Sequence, residues 1–324
     1  MKKAIVLSIV VLILLSCSSK EKKLILQNSN GAINQLLVAM DNNLWKGIEG
    51  DELRKVTGEE VLGLPQREPQ FKVTQIPTIA FKNLFTSQAN VLIVKIADVS
   101  EFTIRKNIYA SPQTIVLITA KDSESLIKKI QEKKNEIISV FKTADIQRLQ
   151  KRLRQRKFNT STLKTLQKLG VDLEIPAAYK LVDDTGDFLW MRKKIRQGQS
   201  INLIVYELPI NSPEDEEGKN IVSIRDTIGK KNIPGQFDGT YLITEAAYSP
   251  HTFLVQLDNK KAFETRGKWE VKGDFMAGPF LNYTVVDKVK NRLVVVEGFS
   301  YAPTTTKRDF MFEVEAILKT LKIE

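Results

Sequence analysis

The densest gathering of groups able to do chemistry lies between Glu264 and Phe280, where Glu264, Arg266, Glu270 and Asp274 sit beside Trp269, Phe275 and Phe280. In an extended chain Glu264 and Arg266 share one face, and Trp269 and Val271 share the other. The expected role is structural: an ion pair that fixes a turn, with Trp269 and Phe280 in the core. The alternative is an acid/base pair, Glu264 with Glu270, acting on an envelope glycan or peptide. Hydrolysis of that kind needs its carboxylates about 5–9.5 Å apart across a cleft, whereas a buried salt bridge to Arg266 would remove it. Arg225 and Asp226 form a second charged pair, expected as a buried Arg–carboxylate contact at a domain junction. Arg225, Asp226, Arg266 and Trp269 are therefore the candidate binding residues.

Cys17 carries the most definite chemistry. Met1-Lys2-Lys3 is a short positive stretch, and residues 4–15 are apolar apart from Ser8. That run fits a secretory signal and is too short to span a bilayer, which takes about 20 residues. Leu14-Leu15-Ser16-Cys17 then reads as a lipobox, with Cys17 as the lipidated first residue of the mature chain. More than one acyl chain gives stable anchoring. A polar, mostly basic tether follows to about Asn30. It lacks the acidic stretch of surface-displayed lipoproteins, so the expected address is the outer membrane, facing the periplasm.

Composition sets bounds on the rest. The 324 residues are 42% hydrophobic and 27% charged, which suits a folded chain with a sizeable core. The formal charge of +11 falls to +9 once Lys2 and Lys3 leave with the signal peptide. Positive charge is interleaved with Asp and Glu, which argues against a nucleic-acid footprint. Cys17 is the only cysteine and His251 the only histidine. No intramolecular disulfide, zinc pattern or His-rich metal site can be built from these, and no cofactor is expected. His251 follows Pro250 in a loop and reads as solvated.

The elements that position these residues follow from periodicity. Residues 33–40, 71–76, 91–96 and 115–119 read as strands, the last two buried and rich in β-branched residues. A helix from 123 carries Leu126, Ile130, Ile137 and Phe141 on one stripe. It continues into a basic stretch holding Arg148, Lys151, Arg152, Arg154, Arg156 and Lys157. That stretch reads as a solvated helix face, or else as a patch that meets anionic lipid headgroups. Strands are expected at 179–182, 188–193, 201–208, 241–245, 252–257 and 293–297. A helix is expected over 220–229. The last helix is expected to open on a capping box, Thr306 to Asp309, and to bury Phe310, Val314, Ile317, Leu318 and Leu321.

These parts divide the chain into a signal peptide (1–16), a lipidated tether (17–30), an N-terminal α+β module (31–145), a helical connector (146–175) and a C-terminal α+β module (176–324). The modules share an order of parts: Gly63-Leu64-Pro65-Gln66 in the first has a counterpart in Ile233-Pro234-Gly235-Gln236 of the second. A diverged internal duplication would explain this, and a common strand order would support it.

Several phrases together resemble a known family: Gly63-Leu64-Pro65-Gln66-Arg67-Glu68-Pro69, Asn107-Ile108-Tyr109-Ala110-Ser111-Pro112-Gln113, Ile175-Pro176-Ala177-Ala178-Tyr179, Phe188-Leu189-Trp190-Met191-Arg192, Glu264 to Val271, Asp274 to Phe280, and Tyr301-Ala302-Pro303. Their order over about residues 33–323 resembles domain of unknown function 4837, a lipoprotein family typical of Bacteroidota. Lys268 and Ala277 depart from the pattern, which favours an apolar residue and a glycine there. The resemblance implies an envelope address and no reaction. The combined expectation is a non-enzymatic envelope module, anchored to the membrane through Cys17, that binds an envelope partner or small ligand.

Overall fold

The computed structural model describes residues 26–324. The signal peptide, Cys17 and the tether as far as residue 25 lie outside the described residues. The end of the expected tether is part of the fold: Gln27–Asn28 pairs in parallel with Ala110–Ser111.

Apolar runs of β-branched residues build the first sheet. Its strands are β1 (Gln35–Met40), β2 (Lys72–Ile76), β3 (Asn90–Ile96), β4 (Glu101–Lys106) and β5 (Thr114–Ala120). The order is β2-β1-β3-β5-β4, with the first four parallel and β4 an antiparallel edge. Helices α1 (Ile48–Thr57), α2 (Ser123–Glu132) and α3 (Lys134–Leu153) cover one face. Leu36, Val38, Met40, Leu92 and Ile118 there meet Leu53, Leu126, Ile130, Ile137 and Phe141. The other face presents Leu37, Ala39, Val91 and Ile115, and packs against Ala80 and Phe81 of the segment after β2.

Helix α3 runs without a break through residue 145, where the sequence suggests a module boundary. Its first half packs on the first sheet. Ile146 and Leu149 in its second half join Phe312 and Ala316 of the last helix. One helix therefore belongs to both modules.

The second sheet is antiparallel. After the short helix α4 (Lys164–Leu169), its strands are β6 (Lys180–Asp184), β7 (Phe188–Arg196), β8 (Gln199–Pro209), β9 (Tyr241–Thr244), β10 (His251–Leu257), β11 (Lys260–Lys272), β12 (Ala277–Asp287) and β13 (Arg292–Tyr301). The order is β9-β11-β12-β13-β8-β7-β6, and β10 also pairs with β11. Helix α5 (Ile221–Asn232) lies on one face and α6 (Arg308–Leu318) on the other. Alternation along β13 serves both: Val294 and Val296 turn toward α6, Val295 and Phe299 toward the α5 side.

The fold class is α+β, as expected. The internal duplication is not present: one sheet is mainly parallel, the other antiparallel, and they share no strand order. The paired phrases also occupy unlike places. Residues 63–66 lie in a loop against the second module, whereas Ile233 to Gln236 line a pocket within it.

Candidate functional site

Two concavities take three of the residues singled out from sequence: Glu264 and Arg266 line one, and Trp269 lines the other. The first lies between the modules. Strand β11 sends Glu264, Arg266, Lys268 and Glu270 to one face and Thr265, Gly267, Trp269 and Val271 to the other. Arg266 meets α6 there. Its Nε donates to Glu264 Oε1 at 2.6 Å and its Nη2 to Glu315 Oε2 at 2.8 Å. Tyr283, paired with Glu264 across β12, donates its hydroxyl to the other Glu264 oxygen at 2.7 Å. Burial works against the Arg266 charge, but Glu315 and Glu264 hold its pKa above the ordinary value. Burial would raise the Glu315 carboxyl, yet Arg266 and Lys319 hold it well below the usual range.

This cleft has a volume of about 260 Å³ and takes Leu62, Gln70 and Lys142 from the first module, Phe253, Arg308 and Phe312 from the second. Lys142 donates to Asn34 Oδ1 at 2.9 Å and to the Gln70 carbonyl at 3.1 Å. Its ammonium lies over the rings of Phe71 and Phe312. Burial pulls its pKa down to about 8, against the attraction of Glu315. Both carboxylates of the cleft already hold cations or a hydroxyl. They tie β11 to α6, with neither carboxylate free as base or nucleophile, and Lys142 over the Phe312 ring joins the first module to that helix.

Glu270 stands apart. Six residues along one strand separate it from Glu264, a span of about 20 Å. The alternative acid/base pair therefore does not form, and the Arg266 bridge to Glu264 removes the hydrolase reading built on it. The turn expected around this ion pair is also absent, since both partners lie within the long strand β11. Trp269 and Phe280 are core residues, as expected.

The second concavity is aromatic and lies on the α5 side of the second sheet. Trp190 and Arg192 of β7, Asn202 of β8, Trp269 of β11 and Phe299 and Tyr301 of β13 line it, closed by Ile233 to Gln236. Its volume is about 250 Å³. Asn202 Oδ1 accepts from Trp190 Nε1 at 3.0 Å and from Arg192 Nε at 2.9 Å. The Arg192 guanidinium stacks 4.7 Å from the Trp190 ring centre, and burial lowers its pKa. Trp269 packs edge-on against Phe299 and tilted against Tyr301. Its Nε1 has no hydrogen-bond partner among the described residues.

Arg225 makes the expected buried Arg–carboxylate contact, chiefly with Glu297, and its Nη1 lies 3.9 Å from Asp226 Oδ1. It is a buried residue of α5, 2% exposed, and contacts Glu297, which is fully buried in β13. Nε donates to Glu297 Oε1 at 3.0 Å, and Nη2 lies 2.9 Å from the same oxygen. Asn282 and Thr244 complete the set, with the guanidinium 3.8 Å over the Phe280 ring centre. Asp226 instead accepts the backbone N–H of Thr244 at 2.7 Å, tying α5 to β9. The pair lies inside the second module, not at a domain junction. His251 opens β10, half-buried, its Nε2 2.9 Å from the Tyr248 hydroxyl.

The basic stretch after residue 145 is partly neutralised. Arg148 donates to the carbonyls of Gly31 and Ala32 and pairs with Asp145, while Arg154 and Lys157 share Glu174. Among the described residues no group of three His, Cys, Asp or Glu side chains is placed to hold a metal ion, and no helix is long and apolar enough to cross a membrane.

Sequence reasoning missed Lys142, Glu315 and the pocket formed by Trp190, Arg192 and Asn202. The alternation Trp190/Arg192 against Leu189/Met191 was the available signal for the last.

Comparison with known proteins divides the chain where α3 ends. The family described as domain of unknown function (DUF4837) matches residues 157–320, and a second, domain of unknown function (DUF8532), matches residues 29–154. The phrases in the first half that resemble the former thus fall within the match to the latter. No curated protein matches the chain. Among solved structures, LpqN, involved in cell envelope biogenesis of Mycobacterium tuberculosis, aligns at 14% identity with a TM-score of 0.29, covering 47% of this chain and 82% of that one.

Proposed function

The chain belongs to the family described as domain of unknown function (DUF4837), and we propose that this member is a lipid-anchored envelope protein with a non-enzymatic binding role. In this reading Cys17 carries the acyl chains, and the domain faces the periplasm from the outer membrane. The ligand is a small molecule with one flat apolar face and a rim of hydroxyls, as a sugar ring has.

The observation that carries the binding role is the aromatic pocket. Ligand sites are concave, mostly apolar, and fixed by a few convergent polar groups. Here the indoles of Trp190 and Trp269 and the ring of Tyr301 supply apolar walls, while Arg192, Asn202 and Gln236 supply hydrogen-bonding groups. Its volume of about 250 Å³ falls below the range of about 300–1,000 Å³ typical of drug-sized ligands, which suits a single ring.

The test is a titration of the mature chain with envelope-derived mono- and oligosaccharides, read by tryptophan emission and calorimetry. Two of the three tryptophans line the pocket, so binding changes the emission. Arg192→Ala and Gln236→Ala weaken it about tenfold or more, the loss expected when a polar partner of a bound group is removed. Binding that neither substitution alters, or no binding of any ring-bearing sugar, overturns the reading.

A further inference from the structure

The first sheet is open on the face away from its helices, and it is open beside the point where the chain from Cys17 enters the fold. Parallel strands are ordinarily covered on both faces. Among the described residues one face has three helices, and the other has the segment 77–88, wound into two short 3-10 turns. That segment turns apolar side chains outward: Ile79 and Leu84 are each 82% exposed, and Phe85 is also exposed. Ile108 and Tyr109 extend the patch, joined to it by the edge-on contact of Phe81 with Tyr109 at 5.8 Å. Gln113 ties the two segments by donating to the carbonyls of Thr86 and Gln88.

The two segments that carry the apolar patch are basic, with acidic groups at their margins: Asp41 accepts from Thr78, and Glu101 lies at the far end of β4 from Arg105. No Asp or Glu occurs from Pro69 to Ala97 or from Phe102 to Lys121, while Lys82 and Arg105 are exposed there. The entering chain runs along the same edge. Gln27–Asn28 pairs with Ala110–Ser111, and the Asn30 N–H donates to the Ser87 carbonyl at 2.8 Å. Nine residues of chain from Cys17 to Leu26 reach at most about 32 Å, so a lipid on Cys17 holds this edge close to the bilayer.

We infer that this face is the seat of the domain on the membrane that holds its anchor: Ile79, Leu84, Phe85, Ile108 and Tyr109 enter the headgroup region, with Lys82 and Arg105 against anionic lipid. An apolar cluster flanked by basic residues is a composition that favours an interfacial position. The inference rests on lipidation of Cys17. It fixes the orientation of the second module, with its aromatic pocket, relative to the membrane.

The experiment uses the full chain, acylated in the cell and reconstituted into vesicles of phosphatidylethanolamine and phosphatidylglycerol with brominated acyl chains. Acylation consumes the only native thiol, so Leu84→Cys gives a single site for an environment-sensitive dye. Val289→Cys, exposed on the second module, is the reference. The expected result is quenching at position 84 about threefold or more above that at 289, since interfacial side chains sit about 5–10 Å into the boundary. Leu84→Glu, at an exposed position, lowers the quenching of a dye placed by Ile79→Cys while the protein still floats with the vesicles. Co-flotation with equal quenching at 84 and 289 overturns this inference and leaves the anchor standing. Failure to float overturns both. Concentration-dependent shielding of the position-84 dye in detergent assigns the face to a second copy of the chain and also overturns it.

Discussion

The carboxylate of Glu68 accepts the backbone N–H of Arg308 at 3.0 Å, and its other oxygen accepts that of Lys307 at 2.7 Å. A loop of the first module thus caps the last helix of the second. The sequence suggests a local capping box at Thr306 to Asp309, but α6 begins at Arg308, and its N-cap, Lys307, has no side-chain cap of its own. Asp309 is turned to another task, accepting from Asn34 Nδ2 of the first module at 2.9 Å. The loop reaches α6 by lying against β11. Gly63, at φ +81°, sits where a Cβ would come within 2.9 Å of the Gly267 nitrogen. The first module therefore completes the second: without Glu68, helix α6 starts with unpaired N–H donors and keeps only Asp309 in its first turn against the dipole.

Glu68→Ala is expected to lower the stability of the whole chain by about 1–2 kcal/mol, the usual worth of a helix cap. Glu68→Gln keeps an acceptor but loses the charge, and is expected to cost less. Urea denaturation followed by circular dichroism measures both. Equal stability of Glu68→Ala and the native chain would show that water replaces the cap.

Arg225 and Glu297 form a pair that tolerates double replacement better than single. Arg225→Met leaves the fully buried Glu297 without its counter-ion, and is expected to cost about 3–5 kcal/mol. Arg225→Met with Glu297→Gln removes the stranded charge and is expected to recover most of that loss. A double-mutant cycle in denaturant reads the coupling, and additive losses would contradict it.

Legibility from sequence followed the period of the pattern. The buried strands at 91–96 and 115–119 and the stripe of α2 were plain, because β-branched runs and helical spacing each bury one continuous face. In the 264–280 stretch the Glu264–Arg266 pair and the core places of Trp269 and Phe280 are legible, and the expected turn is what the structure replaces. Glu264, Arg266, Lys268 and Glu270 alternate with Thr265, Gly267, Trp269 and Val271 along one unbroken strand, a period-two signature that leaves no room for a turn. Glu315 and Lys142 could not be read as partners of Arg266 and Asn34, since 49 and 108 positions separate those pairs. Local pattern also could not foresee a cap supplied from another module.

Lys142 gives the chain an alkaline dependence of stability with a definite sign. Its pKa falls from the ordinary 10.5 to about 8 in the fold, chiefly by burial. Below about pH 8 folded and unfolded chains both hold the proton, so the burial penalty on the charge is constant. Between about 8 and 10.5 the unfolded chain binds more protons, and stability rises with pH through that window. Relative to Lys142→Met, which lacks the titrating group, the native chain is expected to gain on the order of 1–3 kcal/mol across this window. Parallel stability curves for the two proteins would remove the assignment.

Gly278 tests whether the aromatic pocket depends on close approach of the backbone beneath it. The glycine lies on β12, opposite Trp269 in the strand register. A Cβ there would come within 2.1 Å of the Ser300 carbonyl oxygen and 3.0 Å of Trp269 Nε1. The first clash is with backbone, so a change of side-chain rotamer cannot relieve it. Gly278→Ala is expected to cost about 1–3 kcal/mol, the range for overpacking a close-packed site, and to shift the Trp269 emission as the indole moves. Gly198→Ala is the contrast: no atom lies within 4 Å of its added methyl, so only the positive φ of +71° opposes it. That substitution is expected to cost about 1–2 kcal/mol of backbone strain while leaving tryptophan emission unchanged. A shifted emission in Gly278→Ala alone assigns the effect to the indole seat, and unchanged spectra in both would show that Trp269 does not lean on this glycine.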